Sequence, residues 1–129
     1  MKIPITKPYF GTEEKEAILE PLETGWVVQG PKVAEFEQKF STYTGTKHAL
    51  ATTSCTTALH LALIALDVKP GDEVIVPPFT WVATVNVIEM LGAKPVFVDI
   101  ELETFNIDYT KIEAAITPRT KVILPVSLF

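Results

Sequence analysis

Residues 73–98, EVIVPPFTWVATVNVIEMLGAKPVFV, contain the pattern that decides the fold. Short apolar runs at 73–76 and 95–98 flank a helical segment at 82–91. Both runs are rich in β-branched residues and lack a polar face, which is typical of strands buried on both sides. A strand, a helix and a second strand in this order predict two parallel strands joined by a helical crossover.

The same alternation continues in both directions along the chain. Two further strands are predicted at 48–52 and 122–125, and two further helices at 57–66 and 109–116. The sequence therefore predicts an α/β fold with a mainly parallel sheet. The helix at 57–66 is apolar almost all round, which places it centrally, and its His60 is expected to be a hydrogen-bonded core residue.

The first 45 residues are expected to be mainly helical. A helix is predicted at 12–23, with Pro21 disturbing its end. A second helix begins near Pro31, where proline is tolerated in a first turn, and Gly45 is its expected stop. The stripe of that helix consists of Val33, Phe36, Phe40 and Tyr43. We interpret residues 1–129 as one partial domain, with residues 1–45 helical and residues 46–129 forming its first strands and helices.

The amino-acid composition excludes several classes of protein and partner. Eleven basic and sixteen acidic residues give a formal charge of −5, which argues against a nucleic acid or an anionic membrane surface as the main partner. A single cysteine excludes an internal disulfide, and neither a signal peptide nor a run of about 20 apolar residues is present. We expect a cytoplasmic protein. The mean hydropathy of +0.26 is high for so small a domain, which indicates that it docks on a partner or forms part of a larger unit.

The segment Thr53-Ser54-Cys55-Thr56-Thr57 leads from a predicted strand directly into a helix. The first N–H groups of a helix lack internal partners and carry partial positive charge, so this turn is a candidate phosphate site. Ser and Thr are equally common as plain helix caps, and the turn alone does not decide between the two roles.

The segment Val76-Pro77-Pro78-Phe79-Thr80-Trp81 follows the next strand. Trp81 could offer a flat surface to a planar ring at the ligand-binding edge of the sheet, or Phe79 and Trp81 could fill the core. Taken together, the two turns suit a phosphorylated heteroaromatic cofactor.

Other polar groups are weaker candidates. Asp99, Glu101 and Glu103 follow the third predicted strand and are interpreted as a solvated turn. His48, His60 and Cys55 lack the spacing of metal ligands, so no metal site is predicted. Cys55 lacks an assigned base that would activate it as a nucleophile. No Gly-x-Gly-x-x-Gly or Walker-type loop is present, which weakens a dinucleotide or nucleoside-triphosphate interpretation.

Several stretches together resemble the N-terminal part of the DegT/StrS family of aminotransferases, which use pyridoxal phosphate to aminate keto sugars carried on nucleotides. The matching stretches, in the family's order and spacing, are residues 24–31 (TGWVVQGP), 36–37 (FE), 53–63 (TSCTTALHLAL), 70–75 (PGDEVI), 77–84 (PPFTWVAT), 95–99 (PVFVD) and 116–122 (ITPRTKV). The resemblance covers essentially the whole chain.

This resemblance implies a three-layer α/β/α arrangement, part of the large domain of the aspartate-aminotransferase-like (type I) fold. It implies pyridoxal 5'-phosphate as cofactor, with its phosphate held at Ser54, Cys55 and Thr56 and its ring stacked on Trp81. Cys55 stands where the family usually has Gly or Ala, which a contact through the backbone N–H tolerates. The Schiff-base lysine of the family lies further along than residue 129, so no catalytic residue is assigned here.

The resemblance also implies a function. The parent enzyme is expected to transfer an amino group from glutamate to a nucleotide-linked keto sugar, in the biosynthesis of amino sugars or cell-surface polysaccharides. It is expected to be a cytoplasmic homodimer whose partners are a nucleotide sugar and an amino-acid donor, and this chain alone is expected to be inactive as an N-terminal fragment. The alternative is a non-catalytic module that binds a phosphorylated ligand or docks on a partner chain.

Overall fold

A computed structural model describes residues 3–4 and 6–128 of the chain. These residues divide into two compact units, and the boundary along the chain lies between Ala51 and Thr52. We describe each unit by itself.

The first unit consists of three helices: α1 (Thr12–Ala17), α2 (Leu19–Thr24) and α3 (Pro31–Thr44). The prediction of a single helix at 12–23 is wrong, because the helix is interrupted at Ile18, between α1 and α2. Pro21 explains the position of the break. It has no N–H to donate to the carbonyl of Ala17 four residues earlier, so the helical hydrogen bonds cannot continue across this point.

Helix α3 confirms the predicted bounds of the second helix. Pro31 occupies its first turn, where no intrahelical N–H donor is needed. Gly45 ends it in the left-handed conformation, with a φ of 70° that favours glycine. The N–H of Ala51 donates a hydrogen bond of 2.8 Å to the Glu37 carboxylate of α3, which fixes the end of this unit.

The second unit contains a parallel three-stranded sheet and the helices around it. Its elements in chain order are α4 (Cys55–Ala65), β1 (Glu73–Val76), α5 (Val82–Met90), β2 (Lys94–Phe97), a short 3-10 helix (Tyr109–Lys111), α6 (Ile112–Ala115) and β3 (Thr120–Ile123). The strand order is β2-β1-β3, and both pairings are parallel. Each crossover passes through helical structure, as parallel pairing requires.

The hydrophobic core lies against the central strand. Val74, Ile75 and Val76 of β1 are fully buried because β1 has a neighbouring strand on each side. The side chains that cluster with it come from α4, α5 and the turns that precede the strands; they are Leu63, Val68, Val87, Ile88 and Ala93. Since α4 and α5 also pack on each other, the core fixes both helices on the sheet.

Three of the four predicted strands are present. The strand at 73–76 is confirmed, and those predicted at 95–98 and 122–125 occur one and two residues earlier, as β2 and β3. The strand predicted at 48–52 is wrong, because the described residues provide no strand that pairs with it. The helix predicted at 109–116 is present as a 3-10 turn continued by α6.

Helix α4 was predicted to be central, but one side of it is exposed in this unit. Leu63 is buried, but Leu61, Ile64 and Leu66 at its end are exposed, since α5 and the sheet cover only one side of it. His60 is half-buried, and among the described residues no group hydrogen-bonds to its ring, so the expected hydrogen-bonded core histidine is not found. The apolar outer surface of α4 therefore lacks a cover within this unit.

Candidate functional site

The start of α4 is built around the Ser54 side chain. Ser54 has an extended backbone and precedes the first helical residue, so it is the N-cap. Its Oγ accepts a 3.2 Å hydrogen bond from the N–H of Thr57 and lies 2.9 Å from the Thr57 hydroxyl. Thr53 adds a second hydroxyl at 3.1 Å from Thr57 Oγ1. The Ser54 side chain thus satisfies one of the free donors of the helix.

Two further donors of this turn remain available. No group in the described part of the chain accepts a hydrogen bond from the N–H of Cys55 or of Thr56. The Thr56 hydroxyl likewise has no partner there, and both side chains are exposed. Free N–H groups at the positive end of an 11-residue helix can hold an anion such as a phosphate.

The loop between β1 and α5 presents Trp81 to solvent. The side chain of Trp81 is 79% exposed and that of Phe79 is 48% exposed, so neither residue fills the core. Phe79 packs instead on Phe105, with the ring centroids 5.6 Å apart. Trp81 is the N-cap residue of α5, which places its indole at the first turn of that helix.

The topology brings the two turns to one edge of the sheet. Helix α5 follows the carboxyl end of β1 directly, so Trp81 lies at that edge. Helix α4 ends at Ala65 and leads through a short turn into the start of β1, so it runs opposite to the strand and its first turn faces the same edge. Since α4 and α5 pack on each other, the free N–H groups and the indole occur at neighbouring helix starts. Ligands of parallel sheets bind at this edge.

The carboxylates after β2 serve local structure. Asp99 Oδ1 accepts a hydrogen bond of 2.8 Å from the N–H of Ile100, and Glu101 Oε2 accepts one of 2.9 Å from the Thr104 hydroxyl. Asp108 accepts from the N–H and the hydroxyl of Thr110, and these bonds, followed by that of Lys111, hold the pKa of its carboxyl below its ordinary value. The acidic cluster is thus a hydrogen-bonded turn.

The described residues contain neither a metal-binding cluster nor a membrane-spanning helix. No group of three or more His, Cys, Asp or Glu residues among 3–4 and 6–128 could hold a metal ion. No described helix is long and apolar enough to cross a membrane. Cys55 is a free, exposed thiol.

Sequence reasoning missed the hydroxyl groups that support both turns. Thr57 binds Ser54 and Thr53, and the Thr84 hydroxyl lies 2.9 Å from that of Thr80 beside Trp81. Spacing could have indicated them, because each bonded pair is three or four residues apart and hence adjacent on one helical turn. None of these three pairs is distinguishable in sequence from hydroxyl residues that merely face solvent.

Comparison with known proteins identifies the family of the chain. Residues 8–129 match the model of the DegT/DnrJ/EryC1/StrS aminotransferase family. The spore coat polysaccharide biosynthesis protein SpsC of Bacillus subtilis (strain 168) is 52% identical over 124 residues, which are 96% of this chain and 32% of SpsC.

Two solved structures agree with the family match. Spr1654 of Streptococcus pneumoniae, described as a sugar aminotransferase and solved in its PMP form, superimposes with a TM-score of 0.91 at 45% identity, over 99% of this chain and 32% of that one. NtdA of Bacillus subtilis, with bound cofactor PMP, gives a TM-score of 0.85 at 46% identity, over 92% of this chain and 28% of that one.

The chain thus spans about a third of the length of these relatives. The α/β class with a parallel sheet, predicted from the sequence, is confirmed, and the structural relatives share the type I fold. The resemblance inferred from the motifs is confirmed over residues 8–129. This chain belongs to the DegT/DnrJ/EryC1/StrS aminotransferase family.

Proposed function

We propose that this chain is the N-terminal part of a pyridoxal-phosphate-dependent sugar aminotransferase and forms part of its cofactor site. The observation that carries the proposal is that free N–H groups at Cys55 and Thr56 and an exposed indole at Trp81 lie at the first turns of two helices that pack on each other. The family match and the PMP-bound relatives support the same assignment.

The residues fit the two chemically distinct parts of the cofactor. The N–H groups of Cys55 and Thr56, together with the Thr56 hydroxyl, would hold the phosphate. Ser54 keeps the turn in place, because its Oγ caps the helix while its position borders the same anion site. The indole of Trp81 would stack on the pyridine ring. When bound, pyridoxal phosphate serves as the electron sink for amino-group transfer.

The exposed Cys55 thiol is compatible with this arrangement. Because the proposed phosphate contact uses the N–H of Cys55, the side chain itself need not touch the ligand. No carboxylate of the described residues forms a hydrogen bond with the residues of the turn.

The substrates and the assembly are proposed for the whole enzyme. We propose an amino-acid donor such as glutamate and a nucleotide-linked keto sugar as acceptor, since the relatives are sugar aminotransferases and SpsC is a spore coat polysaccharide biosynthesis protein. A homodimer, a cytoplasmic location and the absence of nucleic-acid or membrane partners remain predictions. So does the interpretation of residues 1–129 as one partial domain.

We further propose that the chain does not turn over by itself. It spans about a third of the length of its relatives. The resemblance to the family implies that the lysine that binds the cofactor covalently lies further along than residue 129. A covalent amino-transfer cycle requires that lysine. The chain, assayed with glutamate, pyridoxal phosphate and a keto sugar nucleotide, should form no amino sugar above the protein-free rate; amination at the rate of an intact enzyme would contradict the proposal.

The cofactor site can be tested by direct binding to this chain. The chain contains two tryptophans, so the Trp26→Phe variant reports on Trp81 alone. Pyridoxamine 5'-phosphate, which has no aldehyde to react with surface lysines, should quench Trp81 fluorescence with saturation. Pyridoxamine without phosphate should bind at least about tenfold more weakly, because charge-assisted hydrogen bonds to the turn are lost.

Two results would overturn the assignment of the site. Equal affinities for pyridoxamine with and without phosphate would show that the α4 turn holds no phosphate. Quenching without saturation would show that no defined site exists beside Trp81. As a control, inorganic phosphate should compete with pyridoxamine 5'-phosphate and should leave the fluorescence of Trp81 itself nearly unchanged.

A further inference from the structure

Thr84 lies under the loop that carries Trp81. It belongs to the first turn of α5 and is 6% exposed, although Phe79 and Trp81 of the preceding loop are exposed. Its hydroxyl oxygen is 2.9 Å from the hydroxyl oxygen of Thr80. Its N–H donates a hydrogen bond of 3.0 Å to the carbonyl of Trp81. Thr84 therefore contacts the residue before the indole and the backbone of the indole residue itself.

The side chain of Trp81 has few contacts of its own that would fix its position. No described residue hydrogen-bonds to its indole N–H, and four-fifths of its side chain faces solvent. On the opposite side of the loop, Phe79 packs on Phe105 and Pro77 is fully buried. The position of the Trp81 backbone, from which the indole projects, is thus set by the contacts on either side of it along the chain.

The hydroxyl of Thr84 is the informative part of this arrangement. A valine has nearly the same shape and would fill the same buried space, so packing alone does not require a threonine. A buried hydroxyl is unfavourable unless it is hydrogen-bonded, and this one is bonded to the loop. Its hydrogen bond to Thr80 is the specific link between the loop and α5.

We propose that Thr84 is a positioning residue for the proposed cofactor site, acting through Thr80 to hold Trp81 where its indole can stack on the cofactor ring. This inference rests on the proposed function, because it assigns the indole as the ring surface. Thr84 does not itself touch the cofactor. Its role is to limit the orientations of Trp81, so that little conformational freedom is lost when the ring binds.

The first test measures the opening of the loop in the 129-residue chain without ligand. Amide hydrogen exchange, corrected for intrinsic rates, reports on the N–H of residue 84. Thr84→Val should lower its protection about two- to tenfold, the factor expected for one intramolecular hydrogen bond. Thr80→Val should have the same effect, and Thr84→Ser, which keeps the hydroxyl, should stay within about twofold of the wild type.

The amides of β1 are the control for global stability. They lie in the fully buried central strand, so their protection changes only when the whole unit is destabilised. They should stay unchanged in all three variants. If they lose protection in step with residue 84, the effect is global and the inference is wrong. A fall in Thr84→Ser equal to that in Thr84→Val would also overturn it, since the hydroxyl would then not be the cause.

The second test links the loop to the ligand. In the Trp26→Phe background, Thr84→Val should weaken the binding of pyridoxamine 5'-phosphate about threefold or more, and Thr84→Ser should restore it. Local opening without any change in affinity would overturn the positioning role. If the wild-type chain bound no pyridoxamine 5'-phosphate, the proposed function would fail instead, and the exchange data alone would decide whether Thr84 fixes Trp81.

Discussion

Arg119 binds the carboxylate of Glu73, which is the almost fully buried first residue of the central strand β1. Its Nη2 lies 2.7 Å and its Nε 3.2 Å from Glu73 Oε1, and the Thr117 hydroxyl donates to Glu73 Oε2 at 2.6 Å. The N–H of Glu73 in turn donates to the carbonyl of Arg119 at 2.8 Å. These bonds join the start of β1 to the turn before β3, at the edge of the sheet opposite the candidate site.

This network predicts an acid-sensitive stability. The hydrogen bonds from Thr117 and then Arg119 hold the pKa of Glu73 below its ordinary value of 4.5, against the opposing effect of burial. Because the pKa is lower in the folded state, the carboxylate stabilises the fold fully above about pH 4.5, and this contribution is lost as the pH falls through the folded-state pKa. The free energy of unfolding should therefore fall below this pH.

Urea unfolding at pH 7, 5 and 3.5 checks this prediction. Glu73→Gln cannot titrate, so its free energy of unfolding should decline less steeply with acid than that of the wild type. The control is Glu89→Gln on α5, whose exposed carboxylate makes no ion pair among the described residues. Parallel acid profiles for the wild type and Glu73→Gln would contradict the assignment.

The loop before α3 should not tolerate a side chain at Gly30. A Cβ there would overlap with Nε1 of Trp26, although the extended φ of −176° suits any residue, so the conflict is steric alone. Gly30→Ala should displace the indole and break its 3.2 Å hydrogen bond to the carbonyl of Gln29. Exchange of the Trp26 indole proton with solvent, followed by NMR, should rise about two- to tenfold.

Gly45→Ala is the matched control for Gly30→Ala. No atom lies within 4 Å of a Cβ built at Gly45, but its φ of 70° is unfavourable for alanine. This variant should cost about 1 kcal/mol of stability through backbone strain. It should leave the Trp26 indole proton unchanged; an equal effect of both variants on that proton would mean that contact with the indole is not the cause.

Two leucines on α4 should differ sharply in their contribution to stability. Leu63 is 2% exposed and packs in the core, whereas Leu61 is 44% exposed. Leu63→Ala should lower the free energy of unfolding by about 3 kcal/mol, because it leaves a cavity. Leu61→Ala should lower it by no more than about 1 kcal/mol, since much less apolar area is withdrawn from water. Denaturant unfolding of the two variants gives the comparison, and equal losses would contradict the observed covering of α4.

The sheet could be predicted from sequence because its strands are marked by local composition. Residues 73–76 are an apolar run that lies between two other strands, and such a strand needs no further information than its own hydrophobicity. The run at 48–52 (HALAT) was also predicted as a strand, although its only β-branched residue is Thr52, and it has no paired strand among the described residues. Pairing depends on a partner elsewhere in the fold, which composition does not reveal.

The two turns of the candidate site could be predicted from sequence, and their role in binding a cofactor stays a prediction. The turn before α4 could be predicted because helix capping follows local rules, and the loop before α5 because it follows the end of a buried strand. The break at Ile18 was missed, because the effect of Pro21 appears three residues before the proline rather than at it. The buried Thr84 was missed because its contact with Thr80 depends on how the loop returns onto α5.

Two hydroxyls of the α4 turn should separate capping from ligand binding. The Ser54 Oγ accepts from the N–H of Thr57, so Ser54→Ala should lower the free energy of unfolding by about 1 kcal/mol. The Thr56 hydroxyl has no partner among the described residues, so Thr56→Ala should change stability by less than about 0.5 kcal/mol. Denaturant unfolding measures both values.

Substitution of Thr56 should affect ligand binding more than it affects stability. Thr56→Ala should weaken pyridoxamine 5'-phosphate about threefold to tenfold while the fold is intact, because it removes one hydrogen bond to the phosphate. Thr56→Ser, which keeps the hydroxyl, should bind as the wild type does. A Thr56→Ala variant with unchanged affinity would assign the turn to capping alone, since a phosphate held there would lie within reach of this free hydroxyl.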